Sequence, residues 1–584
     1  YVCFIDIKKA FPTTSRDQLF VSLHDMGVRG PILASLQDMY RDIRMTIKVP
    51  GSSSDKHSYP LEEGLLEGDP SSPFLYVVSI DLMVRKMAKL GLGAHVAYLW
   101  LAVLMFADDL LLITYDPTHL QKLLDVLAAH AHAQGRFQIN NDAKDTCVMI
   151  MPPYPEGVPN PTWTCGDIVL HVKPYYKYLG VIREASGSSA RHFQKVINTT
   201  ATTARKLSEW GCFRGKLDVG TAISILKACL MPQITYCMTS WYSAVSHESA
   251  LNDVIYQRLC TLLDFPAETG ILPHIVLFRE FGILDAAALY YQQMMRLYHE
   301  LFSAGNRTTA GKLFLITEGI DWDTVNPRSI HPKFIAIAQQ LQLPRLHTGA
   351  PHCPVRLVNG EMSSPPQFPL WNLLDKPDRL CTDWRDLDPS PRYKVEWKQF
   401  VDRAVSVDQN RRMDAHIGHN RCRYSRFMQQ RRLLEFETPD STRRRMQVLS
   451  QVPLVMGARL SILNIATHIG RYNGGGQSTG RCPRCLVAQT TESMDHIFWE
   501  CPTLGVARAD MYDELYDSWP KFTSVLRDID QKTFFILGCN MPINVAPEVN
   551  ESPTIRRQAM QIANKFLSVS AIYIAKPTRR TRWR

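Results

Sequence analysis

The chain opens on a strand-like run, YVCFIDI, whose apolar positions are interrupted by a single acid, Asp6. Ser15 is a candidate N-cap for an amphipathic helix reaching about Met26, with Gly27 in the stop position. Helical spacing returns over residues 81–89 and 118–133. Between these stretches, the runs YLWLAVLMFA and LLLITY flank Asp108 and Asp109, which predicts a β-hairpin with both acids at its turn. The run DIVLHVKPYYKYLGVI predicts a further strand pair. Strands and helices mixed in this order over residues 1–185 predict an α+β fold, a mixed sheet with helices on one face.

From 186 to 345 the pattern is helical, with few strand signals. A proline-rich stretch, His352 to Pro369, breaks it, and residues 390–470 are again helical and rich in arginine. The segment from Tyr472 to Gly480 reads as a flexible joint. The expected division is therefore 1–185, 186–345, 346–470 (linker and arginine-rich helices), 471–510 (a Cys/His cluster) and 511–584 (helical, with a basic tail).

A chain of 584 residues is too long for one hydrophobic core, in keeping with several domains. With 45% hydrophobic and 21% charged residues it has the composition of a globular protein. The longest apolar run, Val96 to Ala107, ends at two carboxylates and is too short to span a bilayer, so no membrane association is expected. Most of the 14 cysteines, such as Cys229, Cys237 and Cys260, stand singly in apolar stretches, which suits reduced thiols in an intracellular protein. The formal net charge of +10 favours a polyanionic partner, a merely basic surface being the plain alternative. Tyr1 stands directly inside a strand-like run, from which a fragment lacking its N-terminal part is expected.

Asp6, Asp108 and Asp109 stand where carboxylates are costly unless compensated, and a bound cation is one way to compensate them. Mg²⁺ is held by one or two carboxylates together with substrate phosphates. Two such ions can activate a hydroxyl and stabilise a leaving phosphate. The alternative is a polar hairpin turn, with Asp6 paired to a basic neighbour.

Phe4-x-Asp6-x-x-x-Ala10-Phe11, followed by Phe106-Ala107-Asp108-Asp109, resembles the first and third polymerase motifs of reverse transcriptases. Between them, Gly64-Leu-Leu-Glu-Gly-Asp-Pro-Ser-Ser-Pro-Phe-Leu-Tyr76 resembles the second motif. Gln138-Ile-Asn-Asn-Asp-Ala-Lys144 resembles the fourth and Tyr178-Leu179-Gly180 the fifth, the primer grip. The Phe-Ala-Asp-Asp form points to the non-LTR (LINE-type) retrotransposon branch.

The resemblance implies a right-hand polymerase, with a palm at 1–185 and a helical thumb at 186–345. It implies an RNA template, a DNA primer or target, dNTPs and two Mg²⁺ ions bound by Asp6 and Asp108, with Asp109 secondary. Phe11 would lie under the sugar of the incoming nucleotide, or else be a core aromatic. Gly68, Asp69, Ser72 and Pro73 would shape the surface for the templating pair, or form a plain capped turn. Lys144 would act as an acid toward pyrophosphate, and Tyr178, Leu179 and Gly180 would approach the primer. Lys8 and Lys9 face phosphate or solvent. Glu67 departs from the family's usual glutamine, and the fingers residues that precede the first motif in the family are not in this chain. Nuclear localisation follows from the family alone.

Cys482-x2-Cys485-x10-His496-x4-Cys501 offers three thiolates and an imidazole, a closed tetrahedral set for structural Zn²⁺. It is similar to the knuckle downstream of the polymerase in non-LTR elements, and is expected to help grip nucleic acid. Arg411, Arg412, Arg421, Arg423, Arg426, Arg431, Arg432 and Arg443, Arg444 and Arg445, with Tyr424 and Phe427 among them, suit phosphate contact with base stacking. The alternative for this run is a solvated helix face. The rival to a polymerase is a catalytically inactive nucleic-acid-binding remnant.

Overall fold

The computed structural model describes residues 1–46, 58–96, 98–134, 138–140, 142, 145–152, 161–210, 219–262, 274–304, 307–318, 330–341, 357–358, 361–362, 391–419, 482, 485, 493 and 495–518, with 558, 561–563, 565–567 and 569–570 near the end. They fall into two compact units, Tyr1–His192 with Gly305–Ile316, and Phe193–Ala304 with Thr317–Arg584.

The first unit is built on a six-stranded mixed sheet. We number its strands in chain order as β1 (Val2–Ile5), β2 (Val103–Phe106), β3 (Asp109–Ile113), β4 (Cys147–Met149), β5 (Trp163–Cys165) and β6 (Ile168–Val172). The spatial order is β5-β6-β4-β1-β3-β2. The opening strand β1 is central, antiparallel to both β3 and β4, while β4 and β6 run parallel.

Period-two alternation divides the sheet's two faces. Cys3, Ile5, Leu110, Leu112 and Val148 join the larger core cluster with Leu19, Leu23, Met83, Leu120 and Leu127. These last come from three helices, α1 (Arg16–Asp25), α2 (Ser72–Lys89) and α3 (Pro117–Gln134). Phe4, Leu111, Cys147 and Met149 point the other way, into a smaller cluster with Tyr176. That residue lies in a hairpin, β7 (Tyr175–Tyr178) and β8 (Val181–Glu184), packed through the Phe4–Tyr176 ring stack at 4.3 Å. The helices therefore cover one face and the hairpin part of the other.

Ser15 caps α1 as its sequence position predicts, its side chain accepting from the Gln18 N–H, and Gly27 follows the helix end with φ +94°. Two expectations are corrected. The run YLWLAVLMFA is not one strand: Leu99–Trp100 pairs with His95–Val96, and the main-sheet strand begins only at Val103. The run DIVLHVKPYYKYLGVI forms three strands, because the pairing turn is Leu179-Gly180 and β6 pairs with β5 and β4 instead.

The described part of the second unit is largely helical. The long helix Pro391–His419 packs on Ala286–Ala304 and His274–Glu280, so residues 391–419 of the arginine-rich stretch share a unit with the preceding helices. Trp397 donates its ring N–H to the Met295 carbonyl at 2.9 Å, and Gln409 donates to the Ile283 carbonyl at 2.8 Å. Arg412 binds Asp285 through both terminal nitrogens, at 2.6 and 3.2 Å, and Asp408 through Nε at 2.9 Å. Both carboxylates are buried, so removing the guanidinium leaves Asp285 without a cation among the described residues and Asp408 with only Arg411, 3.8 Å away. Arg412→Met is expected to cost about 3 kcal/mol of this unit's stability, the low end for a broken buried pair because Arg412 stays partly exposed. Urea unfolding followed by intrinsic fluorescence measures it.

Candidate active site

The three acids meet because of strand register. β1 and β3 pair as Phe4↔Leu111 and Ile5↔Leu110, so one further step sets Asp6 beside Asp109. Across the β2–β3 hairpin Phe106 pairs with Asp109, leaving Ala107 and Asp108 as the turn, with Ala107 at φ +53°. Side-chain alternation puts Asp6 and Asp109 on the face of Phe4 and Leu111, the face that carries the β7–β8 hairpin. Burial, then Asp108 and Asp6 nearby, pushes the Asp109 carboxyl above its ordinary value. Burial, then Asp108 and Asp6, also raises the Tyr76 phenol, and Asp109 contributes to the raised Tyr176 and Tyr178 phenols after burial.

Among the described residues none of the three acids has a cationic partner. A cluster of half-buried carboxylates whose mutual repulsion raises a proton affinity fits divalent cations, which reverse that repulsion. The sign of the effect is testable without metal. A raised folded-state pKa gives stability that is full below the unfolded carboxyl pKa and is lost as pH rises through the folded value. Asp109→Asn is therefore expected to raise the melting temperature of the metal-free protein at pH 7, with the gain shrinking as pH falls toward about 4. Thermal melting across pH, with and without Mg²⁺, checks both the gain and its reduction by the cation.

The second motif forms the turn leading into α2. Asp69 accepts from the Ser71 backbone N–H at 3.1 Å and from its hydroxyl at 2.8 Å, and Ser72 N–H donates to the Asp69 carbonyl. Gly68 has φ +88° and open space where a Cβ would lie, while Glu67 and Pro73 are exposed and Ser72 is buried. Phe11 is half-buried and packs against the core, its ring 5.4 Å from that of the buried Tyr76. Both Leu179 (φ +44°) and Gly180 (φ +81°) adopt positive φ, the geometry of a tight two-residue hairpin turn. Tyr178 lies 5.5 Å from Phe4. Lys144 lies outside the described residues, as do Arg421, Arg423, Arg426, Arg431, Arg432, Arg443, Arg444 and Arg445 with Tyr424 and Phe427, the Tyr472–Gly480 joint, nearly all of the proline-rich stretch and the basic tail. Of the described arginines, Arg411 is 3.8 Å from Asp408, and Arg412 is held within the protein by its two carboxylates.

One buried residue went unread in the sequence. Arg16, at the start of α1, donates from Nε to the Gly64 carbonyl (2.9 Å) and from its terminal nitrogens to the carbonyls of Tyr40 (2.9 Å), Glu62 and Glu63 (3.1 Å each). It ties the approach to the second motif to the segment following the first. Its place beside Asp17 at a helix start carries no signal that distinguishes it from a solvated charge.

In the second unit the ligand atoms of Cys482, Cys485, His496 and Cys501 all lie within 4.8 Å of one another. The Cys485 Sγ to His496 Nε2 separation is 3.3 Å, near the edge of roughly 3.5 Å that tetrahedral Zn–S and Zn–N bonds would set. His496 Nδ1 faces Glu500 Oε2 at 3.5 Å, where a carboxylate can orient a ligating imidazole. Arg508 donates to the Phe498 and Cys501 carbonyls at 3.1 and 2.7 Å, securing the turn that presents Cys501.

A sheet bringing one acid from the end of its central strand to two at a neighbouring hairpin, with a second hairpin on the same face, has the arrangement of a polymerase palm. Residues 1–182 match the family described as reverse transcriptase (RNA-dependent DNA polymerase), and this part of the chain is a reverse transcriptase domain. Its relatives are polyproteins of R2 retrotransposable elements. The chain is 25% identical over 244 residues to a "Retrovirus-related Pol polyprotein from type-1 retrotransposable element R2" of Popillia japonica, covering 40% of this chain and 32% of that protein. A second Popillia japonica sequence of the same description is 25% identical over 253 residues, 41% of this chain and 38% of that protein. The polyprotein from type-2 retrotransposable element R2DM of Drosophila melanogaster is 29% identical over 125 residues, 21% of this chain and 12% of that protein. The chain thus spans about a third of the length of the first two relatives.

Proposed function

We propose that this chain carries the polymerase of a non-LTR retrotransposon protein and extends a DNA primer by copying an RNA template. The observation that carries the reading is the convergence of Asp6, Asp108 and Asp109 at one end of the palm sheet, without a cationic partner among the described residues. Two Mg²⁺ ions held there would polarise the primer hydroxyl and offset charge on the phosphates. Asp6 and Asp108 orient that chemistry, and Asp109 adds negative charge from the strand behind. Gly68, Asp69, Ser72 and Pro73 form the floor for the templating pair, Phe11 stands at the sugar, and Tyr178, Leu179 and Gly180 offer a turn to the primer. Lys144, by the resemblance, donates a proton to the leaving pyrophosphate. Phosphoryl transfer asks the protein chiefly for positioning and electrostatics, which suits a site made of carboxylates and turns.

We assign the second unit's Cys482, Cys485, His496 and Cys501 to one structural Zn²⁺. Metal analysis is expected to find one zinc per chain, lost in Cys482→Ser. That substitution removes a ligand whose contribution to local folding is large for small zinc sites. The helices within residues 186–345 form the thumb, and the cellular setting of such chemistry is the nucleus.

The test of the polymerase reading is extension of a DNA primer on an RNA template. Synthesis that requires Mg²⁺ and stops on its removal is the expected result. Salt-sensitive RNA binding by a folded, zinc-loaded chain that synthesises nothing would support the binding-remnant reading instead.

A further inference from the structure

The fourth motif contributes a side chain to the acids, that of Asn140. Asn140 directly follows a short strand, Gln138–Ile139, whose Ile139 pairs with Ile7 immediately beyond Asp6. Its backbone N–H donates to the Asp6 carbonyl at 2.9 Å. Its side-chain Nδ2 donates to Asp6 Oδ2 at 3.0 Å and to Asp145 Oδ2 at 2.9 Å, so that one amide bridges two carboxylates. The orientation of that amide is set by a third bond, because its Oδ1 accepts from the Asp142 backbone N–H at 3.2 Å. Turning the amide over would aim oxygen at two carboxylates and nitrogen at an N–H, losing all three bonds. The Asp6 backbone is fixed as well, its N–H reaching the buried Thr146 hydroxyl at 3.3 Å.

We infer that Asn140 is a positioning residue, an amide strut that locks the Asp6 side chain by one oxygen and leaves the other free to bind metal. The inference rests on the reading of Asp6 as a metal-binding carboxylate. The physical reason for the strut lies in the site's charge. Without a cation, Asp6 is repelled by Asp108 and Asp109 and would turn toward water. A neutral donor holds it in place without neutralising it, whereas a lysine in the same position would compete with the cation. Asp145 anchors the strut from the far side, and its own carbonyl accepts from the Tyr176 hydroxyl at 2.7 Å. The same local segment therefore braces both the acid and the hairpin over it. Partners that orient a metal ligand commonly govern metal affinity or activity by about 10–100-fold.

The test uses the full chain with Mn²⁺ as the probe, its binding followed by electron paramagnetic resonance, and with the Mg²⁺ dependence of primer extension measured in parallel. Asn140→Ser keeps a hydroxyl able to accept from the Asp142 N–H but too short to reach Asp6, so the local turn survives while the strut is lost. Asn140→Ala provides an independent removal of the strut, and Asp108→Ala reports binding elsewhere on the chain. Both Asn140 variants are expected to weaken the Asp108-dependent Mn²⁺ binding by about 10–100-fold. The Mg²⁺ concentration for half-maximal extension should rise in step, with the rate largely recovered at saturating metal. A purely structural role would lower the melting temperature and leave both metal dependences unchanged. Wild-type-like Mn²⁺ binding in either folded variant would overturn the strut while leaving the polymerase reading intact. Absence of Asp108-dependent Mn²⁺ binding in the unsubstituted chain would overturn both.

Discussion

Asp108→Ala is expected to reduce RNA-templated primer extension by at least about 10³-fold while leaving the fold intact. Bound metals contribute several kcal/mol of charge stabilisation to such a reaction, and each factor of ten corresponds to about 1.4 kcal/mol. Asp108 stands at a two-residue turn between β2 and β3, half-exposed, where alanine removes no packed volume. Its loss also relieves Asp109, whose proton affinity is raised by burial and then by Asp108. The metal-free variant should consequently melt no lower than the unsubstituted protein. That pairing separates catalysis from folding: a lost rate with an unchanged melting curve assigns Asp108 to chemistry. Persisting extension would remove Asp108 from the metal site and leave the turn a polar hairpin end.

The parts of this site that were legible in the sequence are those written locally. Asp108-Asp109 between two apolar runs predicts a hairpin with its acids at the turn, and the structure forms it from Val103 to Ile113. Ser15 and Gly27 mark the ends of α1 because a cap and a stop each act within one turn. Strand partnership is non-local, and periodicity does not report it. Nothing in DIVLHVKPYYKYLGVI says that its first part joins β4 in parallel while its second folds on itself. The same holds for side-chain partners far apart in the chain. Arg16 meets the Glu62, Glu63 and Gly64 carbonyls 46 to 48 residues away, and Asn140 meets Asp6 at a separation of 134. Arg412 read as part of a basic surface because its neighbours in sequence are basic, whereas Asp285, which holds it, lies 127 residues earlier. Charge counted along a chain overstates the charge a surface presents whenever such long-range pairs exist.

Two glycines of one motif should respond oppositely to alanine, because one is enclosed and the other open. Gly64 has φ +77°, and a Cβ there would lie 2.5 Å from the Pro12 carbonyl oxygen, 2.7 Å from its Cα and 2.8 Å from its carbonyl carbon. All three are backbone atoms, so no side-chain rotation relieves the overlap. The surrounding chain cannot drift apart, since Gly64 N–H donates to the Thr14 carbonyl at 3.1 Å, Leu65 N–H to the Phe11 carbonyl at 2.8 Å, and Arg16 grips the Gly64 carbonyl. Left-handed strain of about 1–2 kcal/mol and the breaking of this join therefore add together. Gly64→Ala is expected to cost at least about 4 kcal/mol, a large part of a domain's usual 5–15 kcal/mol. Gly68 has φ +88° with nothing within 4 Å of a Cβ, so Gly68→Ala carries only the backbone strain. It should melt within a few degrees of the unsubstituted protein, yet extend primers poorly, because the added methyl enters the space proposed for the templating pair. Thermal melting and extension measured on both variants give a crossed pattern, stability lost at Gly64 and synthesis lost at Gly68. Unimpaired synthesis by Gly68→Ala would mean that the open space at Gly68 is not kept for a ligand.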